Sequence, residues 1–470
     1  MKNELLTKIS IVIGLLILSS VVFSLLQNKS VYEISLGRIS SNYARLNAKE
    51  GSQIIETKKP FEKITSSNIY RWDAKLYKSI SDSAYTNTDF YFKERLAFYP
   101  LFSVLWKVSN IDSPLIFIFN YLLFAFSLIW LLNLFKKSDT DNLFIFFIAL
   151  ILPSSMVYYL PYAESLFLFT FVAAIAGLLQ KKYWLFFIGA LAFSMTRPAA
   201  QIFIFAIIFS DIRYFLLHKN LLYFIKEVLL KALPFVLGIF LVTWIQYIYS
   251  GSWTAYFDSL TFWPVESGFS NKIVDWSVEG FGMTVFAIFF VAIPSLIYSI
   301  VWGIKVFGRK QNAGAQPLSL FSGDKEWIRE YIFNTSVLFI AGNLIYTFLT
   351  SGNVLNGFYR YTMCVPSFYI VFFLCFEKIK IFPLKYKIIT LGLCAAGMMV
   401  FLSNVIYGGD RFRFPYTGLY ILVALFFLLI IEPYISYKKK WFITAVILIP
   451  AIIWHVYLFN VYLSDGWIFT

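Results

Sequence analysis

The sequence predicts an all-α polytopic membrane protein, and three observations predict it. Only 14% of its 470 residues are charged, against about 25% in a typical soluble domain. Hydrophobic residues make up 59% of the chain and aromatic residues 21%, with a mean hydropathy of +0.70. Apolar runs recur along most of the length, many reaching the roughly 18 residues that a membrane helix needs. A soluble chain of this size would have to place far more Lys, Glu and Asp on its surface. Soluble, disordered, coiled-coil and disulfide-scaffold classes are excluded together.

The runs place about thirteen spans, with a range of 11–13 because some short ones can be re-entrant. They fall at about 8–26, 112–135, 142–160, 164–180, 183–196, 198–217, 229–250, 282–306, 331–350, 360–377, 386–407, 415–435 and 442–463. The first has no A-x-A-like cleavage site after it and reads as an uncleaved span rather than a signal peptide. Between the first two spans lies a long loop, 27–111, expected to carry amphipathic helices, and a second sizeable loop covers 251–281. The bundle 112–470 and these loops form a single domain.

The formal charge of +14 comes from 40 Lys and Arg against 26 Asp and Glu. In a soluble protein that excess would suggest nucleic acid, but here it sits in short clusters between apolar runs. The N-terminus and the loops at 136–137, 181–182, 213–226, 305–329, 378–387 and 438–440 hold 21 Lys and Arg. The opposite short loops hold five, Arg197, Lys272, Arg360, Arg411 and Arg413. The long 27–111 loop is left out of the comparison, because long segments translocate largely regardless of charge. This bias predicts a cytoplasmic N-terminus, an outer C-terminus and an outer 27–111 loop. Abundant Ile, Phe, Lys and Asn point to an AT-rich bacterial genome, hence to a bacterial cytoplasmic (inner) membrane.

Cys364, Cys375 and Cys394 fall inside apolar segments, and His218 and His455 are far apart. Neither a zinc site nor Cys/His catalysis is expected. No Gly-rich phosphate loop accompanies the basic cytoplasmic loops. Chemically interesting polar residues gather on the expected outer side instead: Asp73, Glu94, Glu164, Arg197, Glu266 and Arg360.

In the large loop, Tyr70-Arg71-Trp72-Asp73 continues to Tyr77 and Ile80. Read as a helix, Trp72, Leu76 and Ile80 form one apolar row, and Asp73 and Tyr77 the row beside it. Such a helix can lie on the membrane and present Asp73 to a cavity, or simply carry a solvated carboxylate. Pro100, in Ala97-Phe98-Tyr99-Pro100-Leu101-Phe102, disfavours helix at Tyr99. Tyr162-Ala163-Glu164-Ser165 joins two spans with almost no loop, so Glu164 either lines a wet cavity or is favoured by a helix dipole. Arg197, in Thr196-Arg197-Pro198, and Arg360, in Phe358-Tyr359-Arg360-Tyr361, can snorkel to headgroups or grip a phosphate through two parallel hydrogen bonds. The 251–281 loop adds Trp253, Tyr256, Phe257, Asp258, Trp263, Glu266, Asp275 and Trp276, an aromatic set expected of any membrane interface.

Taken in order, these segments resemble the PIG-V-type mannosyltransferase family, a group of membrane glycosyltransferases of the GT-C fold. The motifs that match are Arg71-Trp72-Asp73-Ala74 with Tyr77, Phe98-Tyr99-Pro100-Leu101, Tyr162-Ala163-Glu164-Ser165, Thr196-Arg197, and Arg360-Tyr361 with Pro366. The likeness is firmest over about 68–205. It departs at Ala84-Tyr85, where the family often has Gly-Tyr, and at Ser103, where a second proline often stands. The resemblance implies a GT-C-like fold and inverting transfer of a sugar, usually mannose, from a polyprenyl-phosphate donor. The acceptor would be a glycan or glycolipid on the non-cytoplasmic face. Asp73 matches the position of the general base. Arg71, Trp72, Tyr77, Tyr162, Glu164, Arg197, Arg360 and Tyr361 would bind substrate, and Arg197 and Arg360 lie at the depth expected for the lipid phosphate. No obligatory metal or other cofactor is expected, and membrane lipids are the remaining partners. The alternative class is a lipid or sugar transporter or flippase-like protein, which would place ionisable residues near the midplane in broken helices. A non-catalytic assembly subunit would tolerate loss of Asp73.

Overall fold

The computed structural model describes residues 2–36, 42–43, 54–55, 60–86, 92–111, 114–135, 139–261, 278–308, 325–350, 357–381, 383–389, 391–392, 395–396 and 417–465. The architecture is helical. The only extended pairing among the described residues joins Asn42–Tyr43 to Ile54–Ile55, antiparallel. The helices that matter below are α1 (Lys2–Leu26), α2 (Lys29–Leu36), α3 (Asp73–Ser83), α4 (Phe92–Arg95), α5 (Leu101–Ser109), α6 (Leu115–Leu134), α7 (Asp139–Ile151), α8 (Glu164–Leu179) and α9 (Tyr183–Ser194). They continue with α10 (Ala200–His218), α11 (Leu221–Ser250), α12 (Ala255–Leu260), α13 (Val278–Phe286), α14 (Ile293–Gly308), α15 (Lys325–Thr350), α16 (Phe358–Thr362), α17 (Pro366–Ile381), α18 (Thr417–Ile431) and α19 (Tyr437–Leu463).

Six described helices are long and apolar enough to cross a membrane, or eight if each of two bent pairs counts as one span. Three shorter apolar helices accompany them, Glu164–Leu179, Tyr183–Ser194 and Pro366–Glu377. Several expected spans are therefore not single straight helices. The run at 142–160 breaks at Leu152, where Pro153 opens a 3₁₀ turn, Pro153–Tyr159, bent by 80° from α7. Proline has no N–H to continue the ladder, and the freed polar groups stay inside protein rather than facing lipid. The run at 360–377 is divided between α16 and α17, with Pro366 opening the second. Most of the span expected at 386–407 lies outside the described residues. Trp72 precedes α3 instead of joining its apolar row, whereas Leu76, Tyr77 and Ile80 are all buried on it.

The bundle has two distinct ends. At one end, Tyr462 of α19 donates to the Ile69 carbonyl at 2.7 Å, and Gln246 of α11 donates to the Leu96 carbonyl at 2.8 Å. Both bonds fasten the 60–111 segment. Lys440, about 33 Å back along α19 at 1.5 Å per residue, pairs with Glu432 at 2.8 Å. Lys231 of α11, about 22 Å from Gln246 at 1.5 Å per residue, binds both oxygens of Asp211, at 2.7 and 2.9 Å, with Glu227 at 3.5 Å. Arg213 and Glu330 meet at 3.0 Å.

α8 and α9 form a close antiparallel hairpin, because glycine faces backbone on both sides. A Cβ at Gly177 would overlap the Phe186 backbone, and one at Gly189 would overlap Ala174. Small residues allow such approach, which in lipid is the main source of helix–helix packing energy. Phe167 and Phe193 then stack, with ring centroids 4.1 Å apart. This hairpin starts at Glu164 and is followed by Arg197, so it sets the distance between two charges. Gly189→Leu should lower the thermal midpoint of the purified protein, with an overpacking cost of about 1–3 kcal/mol. An unchanged midpoint would show that the hairpin tolerates separation.

Candidate functional site

Asp73, Glu164, Arg197 and Arg360 come from α3, α8, the α9–α10 turn and α16, and they meet. The Arg360 Nη2 donates to Asp73 Oδ2 at 2.6 Å, and its Nε donates to Glu164 Oε1 at 2.5 Å. Arg197 Nη1 contacts the same Glu164 oxygen. Glu164 is fully buried, while Arg360, Arg197 and Asp73 keep 11%, 13% and 18% of their side-chain surface. One carboxylate forms the floor, two guanidiniums rest on it, and the second carboxylate stands at the rim.

Local structure explains each placement. Glu164 is the first residue of α8, where a helix N-terminus favours an anion. The turn before it is pinned by Asn120, fully buried in α6, whose Nδ2 donates to the carbonyls of Leu160 and of Tyr162, the latter at 3.2 Å. Ser165 Oγ donates to the Tyr158 carbonyl at 3.0 Å. Tyr162 lies under the Arg360 guanidinium, 4.8 Å from ring centroid, a cation–π contact. Arg197 sits 5.9 Å from the Phe167 ring.

Asp73 opens α3, directly after Trp72, whose φ of 52° is rare for a large side chain. The far end of α3 is tied down by Arg95, which has no exposed surface. Its guanidinium donates to Ser79 Oγ, Ser83 Oγ, the Ala84 carbonyl and the Thr86 carbonyl, at 2.9–3.3 Å. Ser103 Oγ donates to the Tyr77 carbonyl at 2.8 Å, and Tyr85 donates to the Phe98 carbonyl at 2.5 Å. Pro100 stands immediately before α5.

Of the other residues singled out in the sequence, Tyr77 lies behind the cluster, edge-on to Phe98 and Phe102. Burial pushes its phenol well above the ordinary value, the nearby Arg197 only partly opposing this, so it stays protonated. Burial likewise pushes Tyr99 up to about 12 although Gln201 donates to its hydroxyl at 2.6 Å. Neither tyrosine is a base at neutral pH. Tyr361 is partly exposed beside the arginines, close enough to act on both electrostatically. Trp72 is half-exposed. Arg71 pairs with Asp465 at 3.7 Å. Glu94 belongs to α4, beyond the far end of α3. Asp258 accepts from Ser252 and Thr254 at 3.1 and 2.9 Å in an exposed turn, and Trp253 stacks on Tyr247 at 4.4 Å. Trp263, Glu266, Asp275 and Trp276 lie outside the described residues, as does Cys394. Cys364 donates to the Ser154 carbonyl, and His455 Nε2 lies 3.1 Å from the Leu152 carbonyl oxygen.

Asn120 and Arg95 are not among the residues that the sequence singles out. A polar residue inside an apolar run is the signal that could have found Asn120. Arg95 sits in an ordinary charged stretch, Lys93-Glu94-Arg95, and nothing in it foretells full burial.

Four charges drawn together at one end of an apolar bundle can hold an anion and move a proton at a partly exposed carboxylate. Comparison of the chain with protein-family models, with curated proteins and with solved structures finds no match in any of the three.

Ala84, at the end of α3, adopts φ 54° and ψ −137°, a conformation that glycine reaches without penalty and alanine does not. This is the position where the family resemblance leads one to expect glycine. Ala84→Gly should raise stability by about 1 kcal/mol, read as a higher thermal midpoint. A lower midpoint would contradict the strain.

Proposed function

We propose that the chain is an inverting membrane glycosyltransferase of GT-C type, with about thirteen spans. It moves a sugar, mannose by the family resemblance, from a polyprenyl-phosphate donor to a glycan or glycolipid acceptor. The observation that carries this reading is the pairing of Arg360 with both Glu164 and Asp73, beside Arg197. Buried ionisable groups are expensive, and four drawn from remote segments to one partly exposed rim favour function over structure.

The acceptor hydroxyl attacks the anomeric carbon as the bond from that carbon to the phosphate oxygen breaks, through an oxocarbenium-like transition state. Asp73 takes the hydroxyl proton, and the lipid phosphate leaves as a monoester with one more negative charge. Arg197 and Arg360 stabilise that charge as it develops, which is where preorganised cations contribute most. Two guanidiniums suffice for a phosphate leaving group, so no obligatory metal enters the proposal. Glu164 holds both of them in place. Tyr162 and Tyr361, around the guanidiniums, and Trp72, next to Asp73, complete the substrate side, while Tyr77 backs the cluster and Arg71 pairs with Asp465. An outer location for the site is supported by the basic Lys181, Lys182, Lys219 and Lys438, which lie on helix ends away from it, as positive-inside orientation requires. A bacterial inner membrane is the setting that the composition favours.

The test is transfer of radiolabelled sugar from a polyprenyl-phosphate donor in membranes containing the full chain. Asp73→Asn should keep the fold and reduce kcat by about 10²-fold or more, the typical contribution of general-base catalysis. Full activity in that variant would remove Asp73 from the mechanism. No transfer by the unaltered chain from any such donor would overturn the reading as a whole.

A further inference from the structure

Arg360 occupies the Asp73 oxygen at 2.6 Å, while the glycosyl-transfer reading needs that carboxylate free for an acceptor hydroxyl and needs Arg360 on a phosphate. The two requirements conflict in the geometry as it stands. Among the described residues, two guanidiniums of the cluster face two carboxylates. Adding an anion without rearrangement would set three negative groups against two positive ones.

The two carboxylates differ in how firmly they are held. Glu164 is fully buried and bound by both guanidiniums, so displacing it would strand a charge in an apolar interior. Asp73 is the most exposed of the four and, among the described residues, meets one guanidinium, that of Arg360. Arg360 reaches Glu164 through Nε and Asp73 through Nη2, so its Nη edge can change partner while Nε stays bound.

We infer that Arg360 is an exchange residue: an incoming lipid phosphate replaces Asp73 at its Nη edge and so uncovers Asp73 for the acceptor, while Glu164 remains the fixed anchor. This deepens the transferase reading above and rests on it for the acceptor's role. The charges balance through the step. The donor phosphodiester carries one negative charge and Asp73 another. After transfer the phosphate monoester carries two and Asp73, protonated, carries none. Negative charge thus moves from Asp73 to the phosphate, where the guanidinium already stands. Glu164 is a positioning residue here. Without bound phosphate, Asp73 Oδ2 stays paired with Arg360 and is withheld from an acceptor hydroxyl.

The consequence runs against the usual effect of mutating a site residue. Because Asp73 competes with phosphate for Arg360, removing its charge should tighten phosphate binding even as it abolishes transfer. The probe is farnesyl phosphate, titrated by calorimetry into the full-length chain in nanodiscs, with farnesol as the uncharged control. Asp73→Asn and Asp73→Ser should each bind farnesyl phosphate about fivefold tighter than the unaltered chain, the fold-change that corresponds to a partly screened ion pair worth about 1 kcal/mol. Farnesol affinity should not change. Equal or weaker phosphate binding in both variants, no binding in any form, or an equal gain for farnesol would each overturn the exchange. A failed transferase reading registers separately, as absence of sugar transfer by the unaltered chain, whichever way the binding ratio falls.

Discussion

The Glu164 carboxylate has no exposed surface and is bound by two guanidiniums that reach it from opposite directions in the chain, Arg197 from the α9–α10 turn and Arg360 from α16. Each of these cations would be prohibitive to bury alone, and so would the anion. Mutual neutralisation, completed by Asp73 on Arg360, is what permits any of them to sit between apolar helices. The surrounding construction serves that contact. Asn120 shapes the turn that delivers Glu164, the glycine-lined α8–α9 hairpin sets where Arg197 emerges, and Tyr162 supports the Arg360 guanidinium.

The other charged groups of the bundle follow a different logic. Lys231 with Asp211 and Glu227, and Lys440 with Glu432, are buried, and Arg213 pairs with the exposed Glu330. Each joins neighbouring helices or turns of the bundle. Lys440 also lies 4.6 Å from the Phe144 ring, which satisfies it further. Such pairs fit a clamp between helices. The site end is built differently, with its rim open on the Asp73 side and its floor sealed.

How much of this was legible in the sequence depended on range. Composition and apolar run length revealed a helical membrane protein, because membrane crossing constrains every residue in a run. The four charges could be named individually, because so few remain once the basic cluster positions are set aside. Their union could not be read, since Arg360 and Glu164 are 196 residues apart and periodicity reports only local order. Helix breaks were harder again. Pro153 was visible in the 142–160 run, yet an apolar run with a proline can either kink or stop. The 80° bend depends on the buried partners that take over the freed backbone groups. The number of spans suffers from the same ambiguity, as α9 and the divided α16–α17 show. Ala84 and Trp72, both at positive φ, lie beyond what residue type predicts, because alanine and tryptophan rarely adopt that backbone.

The central claim, that the placement of the Glu164 charge organises both guanidiniums for catalysis, is tested most directly by shortening its side chain without removing the charge. Steady-state sugar transfer by Glu164→Asp should fall in kcat/KM by roughly 10²-fold, the cost of misplacing reacting groups by about 1 Å, while the thermal midpoint stays close to that of the unaltered chain. Unaltered kcat/KM in a folded Glu164→Asp protein would contradict the account.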